Sequence, residues 1–342
     1  MSNPIAFSRR TFMLTPLALA ACKFGSNVLE IAGFTMGTTY NVVAVDPSGS
    51  VDETVAQARI NDALALVNRQ MSNWDDTSEI SQFNAQTSTN TISVSEDLAK
   101  VMDAAEAVHI ASEGRFDTTM GPLIELWGFG AKGDKTMPSA EAVAEASARA
   151  GHANTLRVEG GALRKTQADA NVYLAAIGKG YGADKVGQAL EELGITDYMV
   201  EIGGDLYASG RNPEGQPWQI GIEKPAALSG GVLDVVGVSG LGLASSGDYR
   251  NYFEEDGQRF SHVIDPITGR PITHKTASAT VLAENAMMAD AWATAMLTLG
   301  RERGLKVADA HNIAVLFIDR DEASTDLTFK ITASARFAEL TA

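Results

Sequence analysis

The 342-residue chain has a single cysteine, Cys22, which excludes any internal disulfide. It is also poor in positive charge. Lys and Arg total 27 against 43 Asp and Glu, a net charge of −16 at pH 7. That excludes a surface built to track nucleic-acid phosphates by counterion release, although a local basic pocket for a small anion stays compatible with it. The apolar stretch Phe12 to Ala21 is too short to span a bilayer. Histidine is scarce too: there are five, and two of them bracket one segment, Phe260 to His274, "FSHVIDPITGRPITH". Hydrophobic residues at 45% and charged residues at 20% describe a folded chain able to bury a real core, as one large domain or two ordinary ones.

The start of the chain reads as an address. "SRRTFML" (8–14) puts Arg9 and Arg10 ahead of the short apolar stretch, the pattern of a twin-arginine export signal. Leu19-Ala20-Ala21-Cys22 then resembles a bacterial lipobox. Two outcomes stay open at this point, lipidation of Cys22 or ordinary signal-peptidase cleavage after Ala18 and Ala20. Either one places the working protein outside the cytoplasm, and one lipid is a tether and not a span. The expected organisation is a signal segment over 1–22 and a single domain over 30–342.

Beyond residue 30, strand-like and helix-like stretches interleave without an internal repeat. "YNVVAV" predicts a strand. Val55, Ile60, Leu64, Val67 and Met71 fall at the helical period within 51–71. Ser93 with Glu96 predicts a capping box opening a second helix that ends near Gly114, and Ser139 caps a third. "TLRVEGGALRK" predicts a hairpin, and "GKGYGADKVGQALEELG" an amphipathic helix. Further strands are expected at 198–202, 218–223, 233–238, 260–264 and 279–282, a helix at 285–299 stopping at Gly300, and two closing strands. Helices among hairpin-connected strands favour an α+β fold with largely antiparallel sheets, in one unit with two lobes.

Four stretches could carry chemistry. In "NAMMADAWATAMLTLG" Asp290 and Thr294, four apart, share a helix face, and a lone acid among Ala and Met is costly to bury without a partner or a cation. Paired hard oxygens suit Mg²⁺. A solvent-facing Asp beside a Thr bonded to its own helix explains the spacing equally well. "AAIGKGYGADK" offers glycine amides and Lys179 at a helix start, where a phosphate could sit, but it has neither the dinucleotide nor the P-loop spacing and by itself reads as a turn. Trp74 in "MSNWDDTSEISQFN" stands in a polar loop, free to stack on a planar ring or, more simply, to cover the end of the preceding helix. The last stretch, 246–272, crowds Asp248, Arg250, His262, Asp265 and Arg270 together and raises His262 above an ordinary strand histidine, toward a base working near neutral pH.

Seven blocks in order resemble the ApbE family of FAD:protein FMN transferases: "FTMGTTY", "MSNWDDTSEISQFN", "GRFDTTMGPLIELWGFG", "AAIGKGYGADKV", "YMVEIGGDLYASG", "SGDYRNYF…SHVIDPITGRPI" and "ADAWATAMLTLG". The resemblance covers nearly the whole chain after the export segment and implies the T-fold-related fold of that family. It implies that FAD is bound with Mg²⁺, that FMN passes to a Ser or Thr hydroxyl of an acceptor flavoprotein, and that AMP leaves. It further implies that Asp290, Thr294 and the carbonyl of Ala176 hold the metal. Met36, Trp74, Arg115, Phe116, Asp117, Lys179 and Ile264 would line the FAD site, and His262 would take the acceptor proton. An exported branch, NosX-like and serving nitrous-oxide reductase maturation, fits the export segment. Two departures stand out. Tyr173 occupies a position where many relatives have an Asp that contacts FAD, and Ala293 one where some have an Asp before the metal-site threonine. The Tyr173 departure keeps an FAD pyrophosphatase in view; a non-catalytic FAD-binding or delivery protein is the alternative of a different class.

Overall fold

The computed structural model describes residues 27–130, 133, 135–226, 230–321 and 328–342. The expected export segment, with Arg9, Arg10 and Cys22, lies outside the described residues. The fold is α+β and largely antiparallel. Its centre is an eight-stranded sheet in the spatial order Asn27–Thr35, Thr38–Asp46, Asp197–Ile202, Asp205–Ser209, Leu241–Gly247, Thr276–Ala283, Ala314–Arg320, Phe329–Ala333. Every neighbouring pair is antiparallel.

The sequence pattern explains how the sheet is covered. In Asp197–Ile202, Tyr198, Val200 and Ile202 alternate with half-exposed residues and pack under Ile60, Leu64, Val186 and Leu190 from the helices Glu53–Met71 and Gly178–Glu192. Thr276–Ala283 is buried along almost its whole length because both faces are covered. Ala279 and Val281 meet Met296 and Leu297 of the Ala286–His311 helix, while Leu282 joins Trp218, Ile220 and Phe337 on the other face. That second face is roofed by the hairpin Trp218–Glu223/Val232–Val238 and the helix Ala335–Thr341. A smaller apolar cluster, with Met120, Leu123, Trp127, Val143, Phe260 and Ile264, forms a lobe at one end.

One contact fixes the position of the later site. Gly180, in the first turn of Gly178–Glu192, lies against the start of the Ala286–His311 helix so closely that a Cβ there would sit 2.1 Å from the Ala286 carbonyl oxygen. Asp184, one turn on, accepts the N–H groups of Ala286 and Met287 at 2.8 and 2.9 Å, giving partners to the otherwise unpaired donors of that helix's buried N-terminus. Burial pushes the Asp184 carboxyl up to about 6 in spite of those bonds. Two helix starts are thereby held together, with Lys179 on one and Asp290 on the other.

Four expectations need correction. The helix expected second, Glu96–Ala111, follows the short helix Glu79–Ala85 and is capped by Ser95 and not by Ser93, because Ile92–Ser93 is already paired with Ala162 and Leu163 as a strand. The strand expected over 260–264 is broken at His262. Gln258–Ser261 pairs with Tyr252–Glu255, and Ile264–Asp265 pairs with Arg270–Pro271. Leu241–Gly247 is a central strand that its glycines and small residues concealed. The helix at 286 does break at Gly300 but resumes to His311. Gly300 has φ +69 and ψ 167, and a Cβ there would lie 2.9 Å from the His274 ring, so the kink needs glycine.

Candidate functional site

A cavity of about 580 Å³ opens where the small lobe meets the sheet. It is lined by Arg115, Phe116, Asp117, Ala176, Lys179, His262, Ile264, Asp290 and Thr294, which brings nine of the twelve residues singled out from sequence to one place. A smaller cavity of about 170 Å³ shares Ala175 and Lys179 with it and is lined by Met36 and Trp74. Tyr173 lines neither. Its hydroxyl donates to Glu125 at 3.2 Å, and its ring meets Trp74 edge-on, centroids 6.5 Å apart.

The floor is polar and charged. Asp290 is buried, which removes the solvent-facing reading of its helix spacing. Its carboxylate accepts the Gly180 N–H at 3.1 Å and lies 3.7 Å from the Lys179 ammonium, which is paired more closely with Asp205. Burial alone would lower Lys179, but the two carboxylates outweigh it and keep the lysine charged. Burial and then the Asp290 charge push Asp205 up, to about 7, against the pull of Lys179. Thr294, one turn along from Asp290, has its hydroxyl 3.2 Å from that of Ser246. Two carboxylates beside a hydroxyl make a hard oxygen set that fits Mg²⁺. Among the described residues no group of three or more His, Cys, Asp and Glu gathers as a metal cage, so any ion here would need hydroxyl, main-chain or substrate oxygens as well. Asp205 was not chosen from sequence. Its signal was an acid directly after Gly-Gly at a strand end, in a block read only for its glycines.

Across the cavity stands His262. The Asn251 carbonyl accepts the His262 main-chain N–H at 3.0 Å and lies 3.0 Å from Nδ1. A carbonyl only accepts, so in the neutral ring the proton sits on Nδ1 and Nε2 keeps the lone pair. Burial lowers the imidazole below the ordinary histidine value of 6.5, with nearby Lys135 acting in the same direction. The ring is therefore a neutral base at pH 7. No side chain announced Asn251, since it works through its main chain.

The rest of the polar crowd sorts itself out. Asp248 is engaged by Arg320 and Arg259, tying the end of a central strand to the end of Ala314–Arg320 and to the small hairpin. Arg115 reaches Asp265 at 2.5 Å, and Asp265 accepts the Ile267 N–H at 2.9 Å, which shapes the Asp-Pro-Ile-Thr-Gly turn. Asp117 turns its carboxylate inward to the Thr119 and His152 amides at 2.7 and 2.8 Å, so it holds the loop that Phe116 and Arg115 belong to. Trp74 is 68% exposed and lines the smaller cavity beside Val67, Asn68, Met71 and Ser72 at the end of the preceding helix, so it stays close to that helix end while its ring faces open space.

A lysine with two acids and a neutral imidazole lining one cavity is an arrangement that could hold an anionic group and accept a proton from a nucleophile. The ApbE family profile matches residues 36–317. The chain is 44% identical over 333 residues, 95% of each chain, to an FAD:protein FMN transferase of Haemophilus influenzae, and 41% identical over 322 residues to one of Vibrio cholerae, covering 94% of this chain and 95% of that one. Among solved structures it is similar to the flavin transferase ApbE of Vibrio cholerae (TM-score 0.84, 39% identity, 92% of this chain and 99% of that one). It is also similar to the apo flavinyl transferase ApbE of Pseudomonas stutzeri (TM-score 0.83, 35% identity, 93% and 98%). The chain belongs to the ApbE family.

Proposed function

We propose that the chain transfers FMN from FAD to a Ser or Thr hydroxyl of a partner protein, as a phosphoester, with release of AMP and dependence on Mg²⁺. One observation carries this reading. His262, with its lone pair on Nε2, and the Lys179–Asp205–Asp290 floor line the same cavity. The acceptor oxygen attacks the phosphorus of the FMN half, the bond from that phosphorus to the bridging oxygen breaks, and AMP departs with that oxygen. The acceptor's proton passes to Nε2 of His262. Lys179 neutralises diphosphate charge, and the fixed loop around Arg115, Phe116 and Asp117, with Ile264, shapes the pocket. Met36 and Trp74 receive the flavin ring system in the adjoining cavity. Mg²⁺ held by Asp290, Thr294 and the Ala176 carbonyl would supply further neutralisation of the diphosphate charge and of the departing AMP. Tyr173, hydrogen-bonded to Glu125, supports the wall and supplies no anionic contact to FAD.

The proposed place of work is the periplasm, after twin-arginine export, either tethered by a lipid at Cys22 or released by signal-peptidase cleavage. The partners are exported or membrane electron-transfer flavoproteins, nitrous-oxide reductase maturation among the routes served. Export and the tether rest on residues 8–22, and the acceptor class on the family resemblance.

The test incubates the purified protein with FAD, Mg²⁺ and a domain bearing an Asp/Ser-x-x-Thr-(Ala/Ser/Gly)-(Ser/Thr) segment. Covalent flavin fluorescence on that domain, lost on chelation, is the expected result. AMP with free FMN and no labelling would replace transfer by hydrolysis. Intact FAD would leave only a carrier.

A further inference from the structure

The stretch Val172 to Leu174 belongs to no helix or strand, yet it leads directly to both cavities: Leu174 lines the smaller, Ala176 the larger and Ala175 both. Its main chain is held from two sides. The Asn84 side chain closes a ring on Val172, its Oδ1 accepting the N–H at 2.8 Å and its Nδ2 donating to the carbonyl at 2.9 Å. Asn73 donates to the same carbonyl at 2.7 Å and accepts the Leu174 N–H at 3.0 Å. Between them the Tyr173 N–H reaches the Thr118 carbonyl at 2.6 Å. Two carboxamides, each used as donor and acceptor, stand in for a neighbouring strand.

Asn84 is itself anchored. It lies in the last turn of Glu79–Ala85, and the buried ammonium of Lys165 donates to the Asn84 and Gln86 carbonyls at 2.8 and 2.7 Å. Carbonyls at a helix end otherwise lack partners. At its other end the held segment runs into the site, for the Leu174 carbonyl accepts the Gly178 N–H at 2.8 Å and opens the helix that carries Lys179. Asn84 lines neither cavity, so it reaches the chemistry only through this segment. Asn73 precedes Trp74 and ties the wall of the smaller cavity to the floor of the larger. A displacement of about 1 Å at a reacting centre can cost about 100-fold in rate.

We propose that Asn84, anchored by Lys165 and joined by Asn73, is a positioning residue for cleavage of the flavin dinucleotide's diphosphate: its carboxamide fixes segment 172–176, and with it the placement of Ala176 and Lys179. This rests on the transferase reading above for the bond that is cleaved.

The experiment uses full-length protein, FAD, Mg²⁺ and the acceptor domain already described. Single-turnover AMP release and flavin labelling are both followed, at a temperature where circular dichroism shows each variant fully folded. Asn84→Ala should slow both by about 10- to 100-fold while the Kd for FAD stays within several-fold. Asn84→Asp gives the sharper readout. A carboxylate turns a second acceptor onto the Val172 carbonyl, whereas a protonated carboxyl has one donor and one acceptor, as Asn has. The rate of Asn84→Asp relative to wild type should therefore be as low as that of Asn84→Ala near about pH 8 and climb toward unity as the carboxyl gains its proton on acidification. If Asn84→Ala does not fold, this ratio carries the test. Wild-type rates in folded Asn84→Ala, a deficit confined to FAD Kd, or a ratio for Asn84→Asp that is flat with pH would overturn the proposal and leave the transferase reading standing. Wild type that releases AMP without labelling would overturn the transferase reading alone, and the same variant ratios in AMP release would still support the positioning role. FAD left intact by wild type would overturn both.

Discussion

Replacing His262 by Ala separates a base from a structural histidine. The side chain makes one directional bond, Nδ1 to the Asn251 carbonyl at 3.0 Å, and the main-chain N–H of residue 262 keeps its own 3.0 Å bond to that same oxygen. The lost bond is worth about 0.5–1.5 kcal/mol, and the ring's edge contact with Phe129, centroids 6.3 Å apart, adds little to that. At about 2–4 °C per kcal/mol the melting temperature should fall by only a few degrees. A positioned general base contributes about 10²–10⁴ in rate, which is about 2.7–5.5 kcal/mol of barrier. The two effects are of different size and fall on different observables. Time courses of flavin fluorescence on the acceptor should slow by at least about 100-fold, while FAD affinity, read by quenching of flavin fluorescence, stays within several-fold. A variant that melts far lower and loses FAD and transfer together would refute the argument, because the histidine would then be holding up the fold.

The same base sets a pH dependence. Burial lowers His262 below 6.5, and a base works deprotonated, so transfer should fall as pH drops through a value under 6.5, apart from any inflection near 7 set by Asp205; an acid limb above 7 that persists in Asp205→Asn would contradict this. Asp290→Ala should raise the Mg²⁺ concentration needed for half-maximal turnover, and an unchanged titration would remove Asp290 from the metal. Trp74→Ala, at a residue 68% exposed, should leave thermal stability within about 0.5 kcal/mol while weakening FAD binding several-fold by calorimetry; equal affinity would show the indole does not stack. Gly300→Ala forces a side chain onto φ +69 and against the His274 ring, and should cost about 1–3 kcal/mol in a melt; no loss would mean the kink is absent.

Much of this was legible in the sequence because it is local. The i, i+4 spacing of Asp290 and Thr294 needs only helix geometry to bring them together, and the strand expected at 198–202 is found as Asp197–Ile202. Ordered blocks brought Arg115, Lys179 and His262 into one cavity that no spacing could have joined. What stayed hidden depends on partners far along the chain or on main-chain atoms. Leu241–Gly247 lacks alternation because its small residues make room for the helix start packed against it, where a Cβ at Gly242 would lie 2.4 Å from the Ala286 nitrogen. Asp248 looked like part of the site until Arg320, 72 residues away, claimed it. Asn251 contributes a carbonyl, which every residue has, and Ser93 lost its capping role to a strand pairing that local sequence does not reveal.

The most direct test is the structure of the His262→Ala variant with FAD and Mg²⁺ soaked in, where the donor can bind but not react. The diphosphate should lie on Lys179 and Asp290, the ion touching Asp290 and Thr294, with the FMN phosphorus open toward position 262. A diphosphate bound away from Lys179, or a phosphorus screened from residue 262 by the protein, would contradict the account.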